Sequence, residues 1–403
     1  MALMPVAEAL ARVLAHATPL PPHHVGLQDA HGRVLAEDLA ARRTQPPEDV
    51  SAMDGYAARA DDVAHVPTTL KVIGEVAAGR PFAGSVTPGC AARIFTGGVV
   101  PDGADTIVIQ EHVVREGDTI TINIATPLNK HIRRAGLDFS KGDVLLKKGR
   151  VLTGRDISLA ASMNHATLPV HGAPHVAVLA TGDELVMPGT EPGPGQIVYS
   201  NGYSVMALAR GEGAQVIDLG VVPDRVEETV AAIRRAREAK ADILVTTGGA
   251  SVGDYDLVQQ ALSAEGLDIS FWRVALRPGR PMMHGRLGAM HVLGLPGNPV
   301  SAFVCAVLFL SPLIRRLSGR SDLGPLTEPA VAGIDLPANG ERSDYQRATL
   351  KAGPGGIPVA TPFFAQDSSM MQALAKADCL VVREPFAPAL RAGEPCRIVK
   401  LPL

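Results

Sequence analysis

Three polar clusters in the second half of the chain carry residue types suited to chemistry on anions. The first is Thr181-Gly182-Asp183-Glu184. The second runs from Thr246 to Asp256 and reads TTGGASVGDYD. The third is Gly294-Leu295-Pro296-Gly297-Asn298-Pro299. Glycines such as Gly182, Gly248, Gly249 and Gly253 let a backbone approach a ligand closely. Hydroxyls such as those of Thr181 and Ser251 add to backbone N–H groups that can cradle a phosphate. The second cluster matches neither GxxxxGK[ST] nor GxGxxG, and an ordinary glycine-rich turn is the plain alternative. Arg273, Arg277 and Arg280 follow Phe271-Trp272. Three guanidinium groups that close can grip a phosphate or another oxyanion, or can be a solvated surface stretch.

Against these cations stand Asp54, Asp138, Glu184, Asp224, Asp254 and Asp256. A hard divalent cation such as magnesium takes oxygen ligands of this kind. Taken singly, each carboxylate also reads as surface polarity. Asp224 is placed to cap a helix, and the Asp54-Gly55 pair can be a simple turn. The twelve histidines show no HExxH spacing, so no zinc site is assigned.

The elements that must position these groups follow from the apolar pattern. HVAVLATG, AQVIDLGVV, ADILVTTGG and HVLGLPGN are apolar runs that alternate with helical segments, SNGYSVMALARGEG and DRVEETVAAIRRAREAK. Such alternation predicts a parallel sheet covered on both faces, with ligands outside the carboxyl ends of its strands. The polar clusters fall at those ends. Residues 68–124 hold short Val/Ile runs between Gly, Pro and Asp, a β pattern. Residues 153–163 read as a helix that could pack against an amphipathic N-terminal helix whose apolar face carries Val6, Leu10, Val13 and Leu14. From 325 to the end, short turn-bounded strands suggest a small barrel or sandwich.

Composition narrows the class. With 403 residues, two to four domains are expected. A net charge of −3 and 4% aromatics argue against a nucleic-acid binder, which wants a positive field and stacking rings. Cys90, Cys305, Cys379 and Cys396 are far apart and form no CxxC pair, which gives neither a disulfide scaffold nor a zinc site. The run SAFVCAVLFLSPLI at 301–314 is short for a bilayer and reads as a buried helix. The N-terminus does not read as a signal peptide. A cytoplasmic protein without membrane attachment is expected.

Several motifs occur together and in order. They are Ser-Ala-Met-Asp-Gly-Tyr-Ala at 51–57, Ile-Phe-Thr-Gly-Gly at 94–98 and Thr-Gly-Asp-Glu-Leu at 181–185. They continue with Thr-Gly-Gly-Ala-Ser-Val-Gly-Asp-Tyr-Asp at 247–256, Phe-Trp-Arg-Val-Ala-Leu-Arg-Pro-Gly-Arg-Pro at 271–281 and Gly-Leu-Pro-Gly-Asn-Pro-Val-Ser at 294–301. On these residues the chain resembles the molybdopterin molybdenumtransferase family, to which the enzyme domain of the receptor-clustering protein gephyrin also belongs. The resemblance implies a multidomain α/β chain. An elongated helical region (1–43 and 132–172) would flank an inserted β-rich domain (44–131). A three-layer molybdopterin-binding α/β domain (173–320) and a C-terminal β-barrel (321–403) would follow.

It also implies a reaction: adenylyl-molybdopterin is hydrolysed and molybdate is placed on the dithiolene, with magnesium present. The implied partners are a second copy of the chain, completing each site, and the adenylyltransferase that supplies the substrate. Molybdoenzyme maturation factors are further candidates. Carried over position by position, the catalytic set is Asp54, Asp138, Glu184, Asp224 and Asp254, with Glu184, Asp224 and Asp254 toward the metal. The binding set is Thr96, Thr181, Gly182, Gly248, Gly249, Ser251, Gly253, Arg273, Arg277, Arg280, Pro296 and Ser368. Where the family usually has lysines in its FWKxAxKPGKP stretch, this chain has Arg273, Arg277 and Arg280, which keep positive charge and add bidentate geometry. Gephyrin-like relatives also act as scaffolds, so a binding protein without turnover is the alternative reading.

Overall fold

The computed structural model describes residues 3–248 and 257–401. Its centre is a six-stranded sheet in the order Gln215–Val222, His175–Thr181, Ile243–Thr247, Met290–Leu295, Met283–Leu287, Asp268–Trp272. The first four strands are parallel. Of these, His175–Thr181, Ile243–Thr247 and Met290–Leu295 are buried on both faces and read as near-continuous apolar runs for that reason, while the edge strand Gln215–Val222 is partly exposed. The last two are antiparallel, so the sheet is mixed where the sequence pattern predicts a parallel one.

Helices Asn201–Gly211 and Pro299–Cys305 cover one face, and helices Val226–Glu238 and Leu257–Ala264 cover the other. The apolar run at 301–314 belongs to a helical stretch spanning Pro299–Leu317. By length and composition it is enough to cross a membrane, but it is packed into the core. Its middle, Ala306–Leu310, widens to a π turn just before Pro312, which has no N–H to give the Leu308 carbonyl.

The N-terminal helix Val6–Leu14 does not pack against the helix at 154–162. Its buried Ala9 and Val13 enter the α/β core beside Val274, Leu276 and Leu308. The Ala275 N–H donates to the Met4 carbonyl at 2.7 Å, and the Arg316 guanidinium donates to the Ala17 carbonyl. The helix Gly154–Ser162 starts where the sequence places it. Thr153 and Asp156 form a reciprocal capping box, and the helix packs in a separate core with Leu35, Leu152 and Leu168.

Before and after residues 55–122 the chain pairs with itself antiparallel. Pro22–Gly26 meets Thr167–His171, Leu39–Ala40 meets Val144–Leu146, and Val50–Ser51 meets Ile132–Arg133. Between these rungs lies a six-stranded sheet in the order Thr106–Ile109, Gly55–Ala58, Cys90–Ile94, Thr68–Val76, Thr119–Ile122, Val113–Glu116. At the other end of the chain, Thr327–Ala332, Ser343–Lys351, Val359–Pro362, Cys379–Arg383 and Pro395–Lys400 close into a five-stranded barrel. Closure comes from Ser343–Lys351, which pairs with strands on both sides. The two-residue strand Leu276–Arg277 joins the barrel through Ser343 and Asp344, tying it to the α/β domain.

One buried pair sets a pH dependence. His284 and His291 are 1% and 3% exposed, with rings stacked 5.6 Å apart on the antiparallel strands. Burial pushes His284 down to about 3 and His291 down to about 4. Arg286 and His16 repel a proton on either ring, and His291 repels one on His284. The folded chain therefore holds neutral imidazoles, while the unfolded chain binds protons near the ordinary value of 6.5. Stability is full above that value and falls as the pH drops toward the folded values. Urea unfolding at about pH 5 is expected to cost about 2 kcal/mol of stability relative to pH 7 for His284 alone. His284→Phe should flatten that loss, and an unchanged pH dependence in this variant would refute the account.

Candidate functional site

The strand order places the sheet's switch point between His175–Thr181 and Ile243–Thr247, since the chain leaves the first strand for the neighbour on its other side. Loops diverge at such a point and open a crevice outside the strand ends. A cleft of about 1130 Å³ lies there. Thr181, Gly182 and Glu184 come from the first strand end, Thr247 and Gly248 from the second, and Pro296, Gly297 and Asn298 from the third. The three sequence clusters therefore converge on one face. Gly248 explains how. At φ +90°, its Cα sits so close that a Cβ would lie 2.7 Å from the Thr181 carbonyl oxygen, so no larger residue fits without moving a strand end.

The cleft has an acidic and a basic wall. Asp224 and Glu184 form the first, with Asp183 beside them. Asp183 Oδ1 accepts the Asp224 backbone N–H at 3.1 Å. Desolvation raises the Asp224 carboxyl above the usual carboxylate range. The backbone N–H of Asp183 opposes that rise, and the Asp183 and Glu184 charges reinforce it. Asp224 is not a helix cap: the helix Val226–Glu238 begins after Arg225, without a side-chain cap.

Arg273 and Arg280 form the basic wall. Arg273 has φ +80°, a conformation that costs a non-glycine residue energy and tends to persist where function demands it. Arg277 is turned away. Its guanidinium pairs with the Asp344 carboxylate of the barrel, which is 5% exposed. Helices Asn201–Gly211 and Pro299–Cys305 both start at the cleft, where Asn201 and Pro299 line it, and helix starts favour anions. The Thr181 hydroxyl is buried without a hydrogen-bond partner among the described residues. The arrangement suits an anionic ligand with groups that can satisfy both walls.

The barrel supplies the remaining edge. Ser369 and Met371 line the cleft. Ser368 is held just behind, its hydroxyl accepting from Asn298 Nδ2 at 3.0 Å and its carbonyl from the Val300 N–H. Arg347 escaped the sequence reading. It is 1% exposed and donates to Gln366 and to the Met370 carbonyl, and one of its terminal nitrogens has no partner among the described residues. Its only sequence signal is a charge inside the apolar strand RATLK. Gly249, Ser251, Gly253 and Asp254 lie outside the described residues.

Asp54, Thr96 and Asp138 do not line this cleft. They lie on the lobe built around the inserted sheet. Asp54 Oδ1 accepts from both the backbone N–H and the hydroxyl of Thr96, each at 2.7 Å. These bonds, followed by the nearby Arg93 charge, hold the Asp54 carboxyl below its usual range. Gly55 is no turn residue. It begins a strand, and a Cβ there would lie 2.0 Å from the Val108 carbonyl oxygen. Asp138 is exposed in the loop after Arg133, its N–H donating to the Gln45 carbonyl.

Three family descriptions cover the chain in order. They are the MoeA N-terminal region (domain I and II) at residues 4–164, the probable molybdopterin binding domain at 177–316 and the MoeA C-terminal region (domain IV) at 329–401. The molybdopterin molybdenumtransferase of Haemophilus influenzae is 38% identical over 379 residues, 93% of each chain. That of a Nostoc species is 34% identical over 390 residues, covering 94% of this chain and 88% of its own. The crystal structure of the molybdopterin biosynthesis moeA protein from Pyrococcus horikoshii superposes with a TM-score of 0.83 at 28% identity. The match covers 99% of this chain and all of that one. The protein belongs to the molybdopterin molybdenumtransferase family.

Proposed function

We propose that the chain hydrolyses adenylyl-molybdopterin and places molybdate on the dithiolene, giving molybdenum cofactor. The observation that carries this is the cleft at the switch point, lined by the carboxylates Glu184 and Asp224 and by the arginines Arg273 and Arg280. Adenylate, pterin phosphate and molybdate are all anions, and guanidinium groups and helix starts offset such charge. The orphaned Thr181 hydroxyl gains a partner when a polar ligand fills the cleft. A scaffold reading calls for an exposed apolar groove, whereas this cleft brings two carboxylates and two arginines together at the strand ends.

Magnesium fits the acidic wall. Among the described residues no group of three His, Cys, Asp or Glu side chains is arranged to hold a metal. Magnesium, however, is commonly held by one or two carboxylates with substrate phosphates and water. Glu184 and Asp224, together with Asp254, are the residues that would hold it. Bound there, it would offset phosphate charge and polarise the phosphorus–oxygen bonds. The chain's own part is to bind the phosphates on Arg273 and Arg280, to seat the substrate on the Thr181–Gly182 and Gly248 backbones, and to close one side with Ser369 and Met371.

Asp54, Thr96 and Asp138 complete the site from a second copy in this reading, since they lie away from their own chain's cleft. Sedimentation should give about twice the chain mass of 42.1 kDa, and a monomer at working concentration would overturn the shared site. The adenylyltransferase that supplies the substrate is the expected encounter partner, with molybdoenzyme maturation factors downstream. Residence in the cytoplasm fits four free cysteines and a long apolar helix packed into the core. The deciding assay mixes purified protein, magnesium, molybdate and adenylyl-molybdopterin. Adenylate release and active cofactor are expected, and the absence of both would refute the proposal.

A further inference from the structure

The Asp54 loop is held by more than Thr96. The Gln110 backbone N–H donates to the Asp54 carbonyl at 3.1 Å. Tyr56 stands opposite Arg93 on the adjacent strand. The Arg93 guanidinium carbon lies 5.1 Å from the Tyr56 ring centre and 4.8 Å from that of Phe95. Its Nη1 donates to the Gly55 carbonyl at 3.2 Å, and its Nη2 to Gln110 Oε1 at 2.7 Å. A single planar cation therefore ties together the residue after Asp54, the residue that holds the Asp54 carbonyl, and the two rings beside the loop. Asp54 Oδ1 is committed to Thr96, while Oδ2 takes no hydrogen bond from the described residues.

We propose that Arg93 is the positioning residue for Asp54: stacked on Tyr56 and Phe95 and forked between the Gly55 carbonyl and Gln110, it fixes the direction in which the free Asp54 oxygen points. The inference rests on the reading that Asp54 belongs to the active site. A fork is needed because the two acceptors sit on different elements, Gly55 at the start of a strand and Gln110 in the helical turn Gln110–His112, and must be met by one rigid group. A lysine brings charge but neither the plane nor the paired N–H bonds. Gly55 has no side chain to contribute and no room for one, since a Cβ there would meet the Val108 carbonyl.

The test is a double-mutant cycle on the full chain, following adenylate release from adenylyl-molybdopterin with magnesium and molybdate. Arg93→Lys is expected to lower kcat on the order of 10- to 100-fold, the scale for a misplaced reacting group. KM and the melting temperature should stay near the parent values. Asp54→Asn/Arg93→Lys should be no slower than Asp54→Asn alone, because a residue acting only through Asp54 has nothing left to position. Normal turnover of Arg93→Lys beside a slow Asp54→Asn would overturn the inference, as would losses that multiply in the double variant. Normal turnover of Asp54→Asn would instead remove Asp54 from the site and take this role of Arg93 with it. If Arg93→Lys melts early, Gln110→Leu, at an exposed position, releases the same fork and enters the cycle under the same criteria.

Discussion

Replacing Asp54 by asparagine should slow turnover by about 10²- to 10³-fold, the scale for one preorganised electrostatic contact, and should leave substrate binding and folding nearly intact. The side chain keeps its shape, and the amide oxygen can still accept from the Thr96 N–H and hydroxyl. Only the charge is lost. The Thr96 bonds and the Arg93 charge hold Asp54 below the usual carboxylate range, so it is an anion throughout the neutral region. It therefore acts as a fixed charge and not as a group that picks up and releases a proton. The ratio of parent to variant rate should accordingly stay constant from about pH 6 to 9. A contact made only in the transition state lowers kcat and kcat/KM together. Adenylate release, a pterin-binding isotherm and a thermal melt on the same preparation separate the possibilities. Near-parent turnover would exclude Asp54 from the site. A collapsed melt with normal specific activity in the folded fraction would make it a structural residue.

The parts of the fold that were legible in the sequence share a physical cause. His175–Thr181, Ile243–Thr247 and Met290–Leu295 are buried on both faces, so their residues read as unbroken apolar runs with polar clusters at their ends. Thr153 and Asp156 announce a helix start because the capping box is local. The antiparallel strands Asp268–Trp272 and Met283–Leu287 were not legible. They carry Asp268, His284 and Arg286, and a turn-rich Arg-Pro-Gly-Arg-Pro separates them. Nothing local shows that His284 is buried against His291. The N-terminal helix was clear as a helix, but its partner was not. Its apolar face fits either core, and the choice is made by contacts hundreds of residues away, such as Arg316 on the Ala17 carbonyl.

The site divides in the same way. Glycine-rich strand ends are visible as spacing, and their convergence follows from the topology of an open sheet. Pairings across the chain are not visible. Thr96 reads as one of several motif hydroxyls, and its grip on Asp54 spans 42 positions. Arg347 is masked because its partners Gln366 and Met370 lie on a loop 19 and 23 positions away. Asp224 has the sequence of a cap, yet the helix starts one residue later and leaves its carboxylate to the cleft.

The three arginines are where sequence and structure part most usefully, and they yield the second large expected effect. Arg280→Ala should cut kcat/KM for adenylyl-molybdopterin by about 10- to 100-fold, matching one charge-assisted hydrogen bond of about 1.5–3 kcal/mol. Arg277→Ala should leave it within about twofold, as for a side chain that touches no substrate. Spacing treats the two alike, since both flank Pro278-Gly279. The backbone separates them. Leu276–Arg277 is a strand on the barrel edge, which aims Arg277 at Asp344. The chain then turns at Gly279, with φ +118° and so little room that a Cβ would lie 2.5 Å from the Cys305 sulfur. That turn brings Arg280 round to the cleft. Losing Arg277 frees the nearly buried Asp344 from one of two donors, Gln346 remaining at 2.8 Å, and the guanidinium is half exposed. Its cost should therefore appear as about 1 kcal/mol of stability. Salt supplies a further check. Raising ionic strength should weaken substrate binding to the parent and to Arg277→Ala more steeply than to Arg280→Ala, which has one fewer cation facing the anion. Equal losses of kcat/KM in the two variants would mean that the barrel contact, and not the charge on the cleft wall, is what the substrate requires.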